Sequence, residues 1–204
     1  MNDWDTTYRD RGADSVSWFR PHLDLSLRLI EAAGLSATTR LIDVGAGAST
    51  LVDDLLARGA MQMTLVDLSS AALGIVRARL GLRAACVRFV AGDVTALDLE
   101  PASFDIWHDR AALHFLVDDD DAAAYARQAR KVLAAGGHAI VGGFAADGPE
   151  RCSGRIVARR EPEEIAALFG DAFELVDAAR ETHLTPAGRP QRFVYAVLRK
   201  RLGA

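Results

Sequence analysis

The densest chemistry in the sequence sits in ten residues, Leu41-Ile42-Asp43-Val44-Gly45-Ala46-Gly47-Ala48-Ser49-Thr50. An apolar strand candidate runs into two glycines and passes at once toward a helix. Gly45 and Gly47 remove side chains where a backbone must approach a ligand closely, and the helix start behind them presents unpaired N–H groups. Any tight strand–helix turn can use glycines in this way, so the turn alone identifies no ligand. A pyridine-dinucleotide site wants a third glycine three residues after the second, and this chain has Thr50 there. Asp43, two residues ahead of the first glycine, would repel a pyrophosphate. It suits a ligand that carries a cationic ammonium or sulfonium.

Two more carboxylates stand at the ends of the next two strand candidates. Asp67 follows Thr64-Leu65-Val66, twenty residues beyond Gly47, at the spacing of an acid that takes both ribose hydroxyls. Asp93 follows Phe89-Val90-Ala91-Gly92, where it can accept from an adenine amino group. Ligands of open α/β sheets bind beyond the carboxyl ends of strands, at the switch in strand order. Each acid alone could cap a helix, but the three in order outline an adenosine with a positively charged tail.

The elements that position these acids alternate. Strand candidates are Arg40–Val44, Met61–Val66, Cys86–Val90, Phe104–Trp107 and His138–Gly143, with Cys86 placed in the core. Helices are expected from Ser49 to Arg58, Ser69 to Leu80 and Glu161 to Phe169, and an Ala-rich one follows the acidic run Asp118–Asp121. That run precedes Arg127, Arg130 and Lys131, so it complements a helix dipole and is not taken as a metal site. Phe173–Ala179 and Arg192–Leu198 read as an antiparallel hairpin. Alternating strands and helices predict a doubly wound, mostly parallel sheet. The first 39 residues read as a helical extension, with Leu23, Leu27 and Ile30 roughly on one face.

From about Arg40 onward the chain resembles a class I S-adenosylmethionine-dependent methyltransferase of the small standalone kind, similar to methyltransferase-domain types 11 and 12. The residues that carry the resemblance are Asp43-Val44-Gly45-Ala46-Gly47, Val66-Asp67-Leu68-Ser69, Gly92-Asp93-Val94, Phe104-Asp105-Ile106-Trp107 and Leu133-Ala134-Ala135-Gly136-Gly137-His138. The resemblance implies a Rossmann-like, seven-stranded α/β sheet, mostly parallel with an antiparallel strand in its C-terminal hairpin. It implies S-adenosylmethionine as cofactor, with Asp43, Gly45, Ala46 and Gly47 facing the methionine portion. Asp67 would hold the ribose, Leu68 would pack on adenine, and Asp93 with Val94 would flank the base.

The acceptor side is carried by Trp107-His108-Asp109-Arg110, followed by Ala111 to Leu116. It lacks the Asn-Pro-Pro-Tyr type of motif used on base and glutamine amino groups. It occupies the place of an Asp-Lys-Gly-Thr run found in some protein-lysine methyltransferases. His108 or Asp109 is expected either to take a proton from the acceptor or to orient the cofactor's amino group. His108 is equally expected to be a plain cofactor contact. Arg110 is a candidate for an acidic substrate, or for an ion pair with Asp109 or the Asp118 run. The aromatic N-terminal segment suggests a lid, with Trp18 against the sulfonium and Tyr8 beside the acceptor; the alternative is that these aromatics only staple the first helices onto the sheet. Cys152, between arginines, is a candidate substrate contact.

Composition bounds the remainder. The sequence has 204 residues, 24 basic and 28 acidic, for a net charge of −4. That length suits one domain, with residues 1–39 as cap and 40–204 as core, and can bury a real core. The acidic balance argues against a general nucleic-acid binder. No apolar run is long enough for a membrane helix, and Met1-Asn2-Asp3-Trp4-Asp5 does not read as a secretory signal. Two cysteines make neither a disulfide framework nor a four-ligand zinc site, and no metal is expected. The expectation is a cytoplasmic enzyme that methylates a heteroatom of a small molecule, its oligomeric state unreadable. The rivals are a protein-lysine or protein N-terminal methyltransferase, a non-catalytic cofactor-binding module, and a nicotinamide dehydrogenase.

Overall fold

A computed structural model describes residues 3–203; Met1 and Asn2 of the N-terminal segment considered above lie outside them. Two helices come first, α1 (Asp3–Arg11) and α2 (Asp24–Ala32). The alternating part follows as β1 (Arg40–Val44), α3 (Leu51–Ala57), β2 (Gln62–Asp67), α4 (Ser70–Leu80), β3 (Val87–Ala91) and β4 (Phe104–Arg110). It continues through α5 (Asp119–Val132), β5 (Leu133–Phe144), a small hairpin of β6 (Arg151–Cys152) and β7 (Arg155–Ile156), and α6 (Pro162–Phe169). The long hairpin of β8 (Phe173–Leu184) and β9 (Pro190–Lys200) ends the order.

Seven strands form one sheet in the order β3-β2-β1-β4-β5-β9-β8. Pairs from β3 through β5 are parallel, whereas β9 runs antiparallel to both β5 and β8. The order reverses between β1 and β4, so the crevice lies at their carboxyl ends. Both faces are covered, as a parallel sheet requires. On one face Leu41, Leu65, Ile106 and Ile140 pack with α2, α3 and α4. On the other, Ile42, Val66, Trp107 and Val141 pack with α5 and α6. Alternate residues of each strand thus enter opposite cores, which fixes the register.

Helix starts follow local chemistry. The Ser69 side chain caps α4 by accepting from Ala72 N, and Asp118 caps α5 by accepting from Asp120 N. Glu161 and Glu164 form a reciprocal capping box ahead of α6. Two expectations need correction. Strand β4 runs three residues past Trp107, because His108 and Asp109 are buried beside polar partners and the ladder to β1 and β5 continues through them. Cys86 ends a 3₁₀ turn ahead of β3 and is only half-buried, lining an open depression at the opposite end of the sheet. No helix among the described residues is long and apolar enough to cross a membrane.

Candidate active site

Two adjoining cavities open at the carboxyl ends of β1, β2 and β4. The larger, about 860 Å³ with its mouth, is lined by Gly45, Asp67, Leu68, Asp93 and Val94 on one side. Trp4, Trp18, Arg110, Phe115, Leu116 and Cys152 line it on the other. The smaller, about 480 Å³, is lined by Asp43, Gly45, Ala46, His108, Arg20 and Arg110, among others. Tyr8, Trp18, Gly45 and Arg110 line both.

Gly45 and Gly47 adopt φ +65° and +54°, values in the left-handed region that disfavour any residue with a Cβ. A Cβ on Gly45 would lie 2.5 Å from Cβ of Ala112, and one on Gly47 would strike the Tyr8 hydroxyl. Both glycines therefore keep open a cradle that a side chain would fill. The Asp67 carboxylate sits at its rim, accepting from Gly47 N and Ser69 N, each at 2.7 Å. Burial lifts its pKa to about 6 against those hydrogen bonds, with Asp43 and Asp5 adding repulsion. Leu68 is 48% exposed and lines the larger cavity, an apolar surface suited to a planar ring. Asp93 is exposed and takes Thr95 N and Oγ1 on one oxygen, closing a turn that holds its carboxylate at the cavity. These side chains fit an adenosine with a cationic tail: acceptors for hydroxyls and an amine, an apolar platform, and no room for a further side chain in the turn.

Asp43 and His108 occupy paired positions of β1 and β4. His108 Nδ1 lies 2.7 Å from Asp43 Oδ1, and Nε2 lies 2.9 Å from Ser26 Oγ on α2. Both ring nitrogens are engaged, the ring is 1% exposed, and it lines the smaller cavity with Asp43. That geometry places His108 behind Asp43 as a positioning residue. The alternative of a proton acceptor for the methyl acceptor is not what the structure favours.

Asp109 departs further from the expected catalytic role. Its carboxylate is fully enclosed and accepts from Ala112 N at 2.7 Å, Leu113 N at 2.8 Å and Tyr125 Oη at 2.6 Å. Trp107 Nε1 in turn donates to Tyr125 Oη at 2.8 Å. With no path to a substrate, Asp109 shapes the turn through Ala111, a non-glycine residue at φ +76°. Holding such a residue there costs about 1–2 kcal/mol, and the turn brings Ala111 and Ala112 to the cavity wall.

The N-terminal segment closes the site from above. Asp5 Oδ1 accepts from Ser69 Oγ at 2.7 Å and Ala71 N at 3.1 Å, tying α1 to the loop that follows Asp67. Trp18 Nε1 donates to Tyr8 Oη at 3.2 Å, and the Trp4 ring meets Trp18 and Phe115 edge-on at 6.0 and 5.0 Å. Arg155, from the β6–β7 hairpin, stacks on Trp4 at 4.3 Å. Burial and the Asp67 carboxylate push the Tyr8 phenol upward, so it stays protonated. Cys152 is buried at the cavity wall, and burial raises its thiol to about 11, leaving a neutral contact and no nucleophile.

Sequence reasoning missed Ser26, Arg20, Glu181 and Phe193. Ser26 leaves a trace, as a polar residue on the apolar stripe of α2. The others arrive from the far hairpin or an irregular segment and have no local signal. Among the described residues, no group of three or more His, Cys, Asp or Glu is placed to hold a metal ion.

Comparison with known proteins follows the same lines. A family model described as a methyltransferase domain matches residues 41–137. The eEF1A lysine and N-terminal methyltransferase of Mus musculus is 25% identical over 141 residues, 69% of this chain and 20% of the relative. The chain thus spans about a fifth of the curated relatives it matches. Among solved structures, the 1,6-didemethyltoxoflavin-N1-methyltransferase of Burkholderia thailandensis, with 1,6-didemethyltoxoflavin and S-adenosylhomocysteine bound, is 26% identical at a TM-score of 0.72. That alignment covers 97% of this chain and 84% of the other. The N-methyltransferase NodS of Bradyrhizobium japonicum, in complex with S-adenosylhomocysteine, shares the fold at a TM-score of 0.72 and 17% identity. Coverage there is 98% and 99%.

Proposed function

We propose that the chain is a class I S-adenosylmethionine-dependent methyltransferase that transfers a methyl group to a heteroatom of a small molecule by in-line displacement. The observation that carries this reading is the row of Asp43, Asp67 and Asp93 along one two-lobed cavity, roofed by Tyr8, Trp4 and Trp18. S-Adenosylmethionine, when bound, supplies a methyl group already activated on a sulfonium. The chain's own residues then have to bind, align and exclude water.

In this reading the backbone of Gly45, Ala46 and Gly47 lies against the methionine portion, and Asp43, fixed by His108, faces its ammonium. Asp67 accepts from the ribose hydroxyls, Leu68 packs on the base, and Asp93 with Val94 flanks the base edge. Trp18 stands toward the sulfonium, where an aromatic face contributes ~0.5–2 kcal/mol. Residues 1–39 act as the cap of a core over 40–204, within one domain. Of the groups expected to act on the acceptor beside Tyr8, Arg110 and Cys152, none is a free base: Asp109 is enclosed, His108 is engaged, and Cys152 holds its proton. Transfer therefore relies on an acceptor atom with its lone pair available at working pH, and on alignment, which supplies ~7–11 kcal/mol in favourable cases. Two unpaired cysteines accord with work in the reducing cytoplasm.

A closed, aromatic cap favours a small acceptor, and the toxoflavin-type relative supports the same choice. The curated relatives favour a second reading, methylation of protein lysines or N-termini. One experiment separates the two. Purified protein is incubated with cell extract and methyl-labelled cofactor, and the label is expected in the low-mass fraction. Label in one discrete protein band overturns the small-molecule reading and supports the second.

A further inference from the structure

The Arg110 guanidinium is enclosed, with a side chain only 6% exposed, yet it lines both cavities. Nη1 donates to Trp18 O at 3.1 Å. Nε and Nη2 are buried and make no hydrogen bond of normal geometry among the described residues, with the Tyr195 hydroxyl lying beside the guanidinium. Glu181 Oε2 stands 4.0 Å from Nη2, beyond hydrogen-bond reach, and the same carboxylate is bound by Arg20. Two guanidiniums thus share one acid. Phe193 holds the planar group from one side, its ring centroid 4.6 Å from Cζ.

Nε and Nη2 form one edge of a guanidinium, the pair of parallel N–H donors that a carboxylate meets with both oxygens. Leaving buried charged donors unmet is costly, so a rigidly stacked, unfilled edge beside a cavity is matched to an anion that arrives with a ligand. The same cavity presents Trp4, Trp18, Phe115 and Leu116, alongside the Asp67 and Asp93 carboxylates. Such aromatic walls favour a flat, conjugated body.

We propose, resting on the methyltransferase reading above, that the acceptor is a planar aromatic molecule bearing a carboxylate, which Arg110 takes through Nε and Nη2. The competing source of a carboxylate is the methionine portion of the cofactor itself, and the test separates the two.

Protein saturated with S-adenosylhomocysteine is titrated calorimetrically with matched pairs, anthranilate against aniline and salicylate against phenol. The carboxylated member is expected to bind at least tenfold tighter. Arg110→Met keeps an apolar contact on Phe193, and should reduce that preference to within twofold. Affinity for S-adenosylhomocysteine should change less than threefold. Arg110→Lys should keep only part of the preference, because a point charge lacks the fork. The wild-type pairs alone are decisive if a variant fails to fold: equal binding of both members overturns the proposal. A preference surviving in a folded Arg110→Met protein overturns it too. So does a tenfold loss of S-adenosylhomocysteine affinity in that variant together with a tenfold weaker wild-type affinity for decarboxylated S-adenosylhomocysteine, which assigns the guanidinium to the cofactor. A wild-type protein that binds no S-adenosylhomocysteine defeats the methyltransferase reading first; one that binds it without carboxylate preference defeats only this proposal.

Discussion

His108 holds Asp43 across the β1–β4 ladder, Nδ1 to Oδ1 at 2.7 Å, while its Nε2 reaches Ser26 on α2 at 2.9 Å. Three elements are thereby joined at the floor of the cavity through one imidazole. The carboxylate that would meet a cationic ligand is fixed in direction before the ligand arrives, which lowers the ordering cost of binding.

That arrangement predicts a positioning role for His108. His108→Phe should leave the Asp43 oxygen and the Ser26 hydroxyl unmet, at a cost of about 1–3 kcal/mol for each buried group. Affinity for S-adenosylhomocysteine should fall about tenfold or more, and His108→Asn should recover part of it. The pH profile of kcat should keep its shape in His108→Asn. Loss of one ionisation from that profile would show that His108 is a base after all.

On the proposed ribose contact, Asp67 should make cofactor affinity depend on pH. Its carboxyl titrates near 6 because burial outweighs the hydrogen bonds from Ser69 and Gly47, and ribose hydroxyls donate to the ionised form. Affinity for S-adenosylhomocysteine should be flat above pH 7 and weaken as pH falls through 6, by about tenfold per unit at the low end. Asp67→Asn should bind poorly at every pH with the slope gone. Asp67→Ala should also cripple binding while the domain still unfolds cooperatively. Calorimetric titration from pH 5 to 8 reads both, and unchanged affinity in either variant contradicts the ribose assignment.

Gly47 and Tyr8 should be coupled. An alanine at 47 is strained at φ +54° and drives its Cβ into the Tyr8 hydroxyl. Gly47→Ala should lower stability by about 1–2 kcal/mol through the backbone alone and displace the cap from the cavity. Tyr8→Phe removes the clashing oxygen while keeping the ring, so the double variant should regain about 0.5–3 kcal/mol relative to additivity. Thermal unfolding of the four proteins gives the cycle. Strict additivity would mean that Tyr8 does not rest on Gly47 in solution.

The local parts of this site were readable because they are written in adjacent residues. A strand, two glycines and a helix at 41–57, then acids at 67 and 93, need no long-range knowledge to interpret. Where β4 ends was not readable. His108, Asp109 and Arg110 look like a polar exit from a strand, and they stay in the sheet region because distant residues meet them: Asp43 and Ser26 for His108, Tyr125 for Asp109, and Trp18 for one nitrogen of Arg110. The same reason hid Glu181 and Phe193, which meet Arg110 from more than 70 residues away. Polar burial is a property of the assembled fold, and single-sequence patterns assign such groups to the surface by default.

His114, like the inner edge of Arg110, departs from that satisfied polarity, and it yields the last prediction. The ring is 2% exposed, neither nitrogen has a hydrogen-bond partner among the described residues, and it packs on Phe115 and Phe144 at 4.4 and 4.8 Å. Burial, with the Arg110 and Arg160 charges, depresses its pKa to about 3. The folded protein therefore keeps this ring neutral while the unfolded chain protonates it near 6.5, so its contribution to stability is lost as pH falls from about 6.5 toward 3. His114→Phe removes two unmet polar atoms and the titration together, and keeps a flat ring of similar size against Phe115 and Phe144. Removing one such unmet group is worth about 1–3 kcal/mol, and a chain of this size gains about 2–4 °C per kcal/mol. The variant should melt several degrees above wild type at pH 7, and its advantage should widen at pH 5. A lower melting temperature would show instead that the ring nitrogens are satisfied in solution, and that His114 is a polar anchor of the turn it occupies.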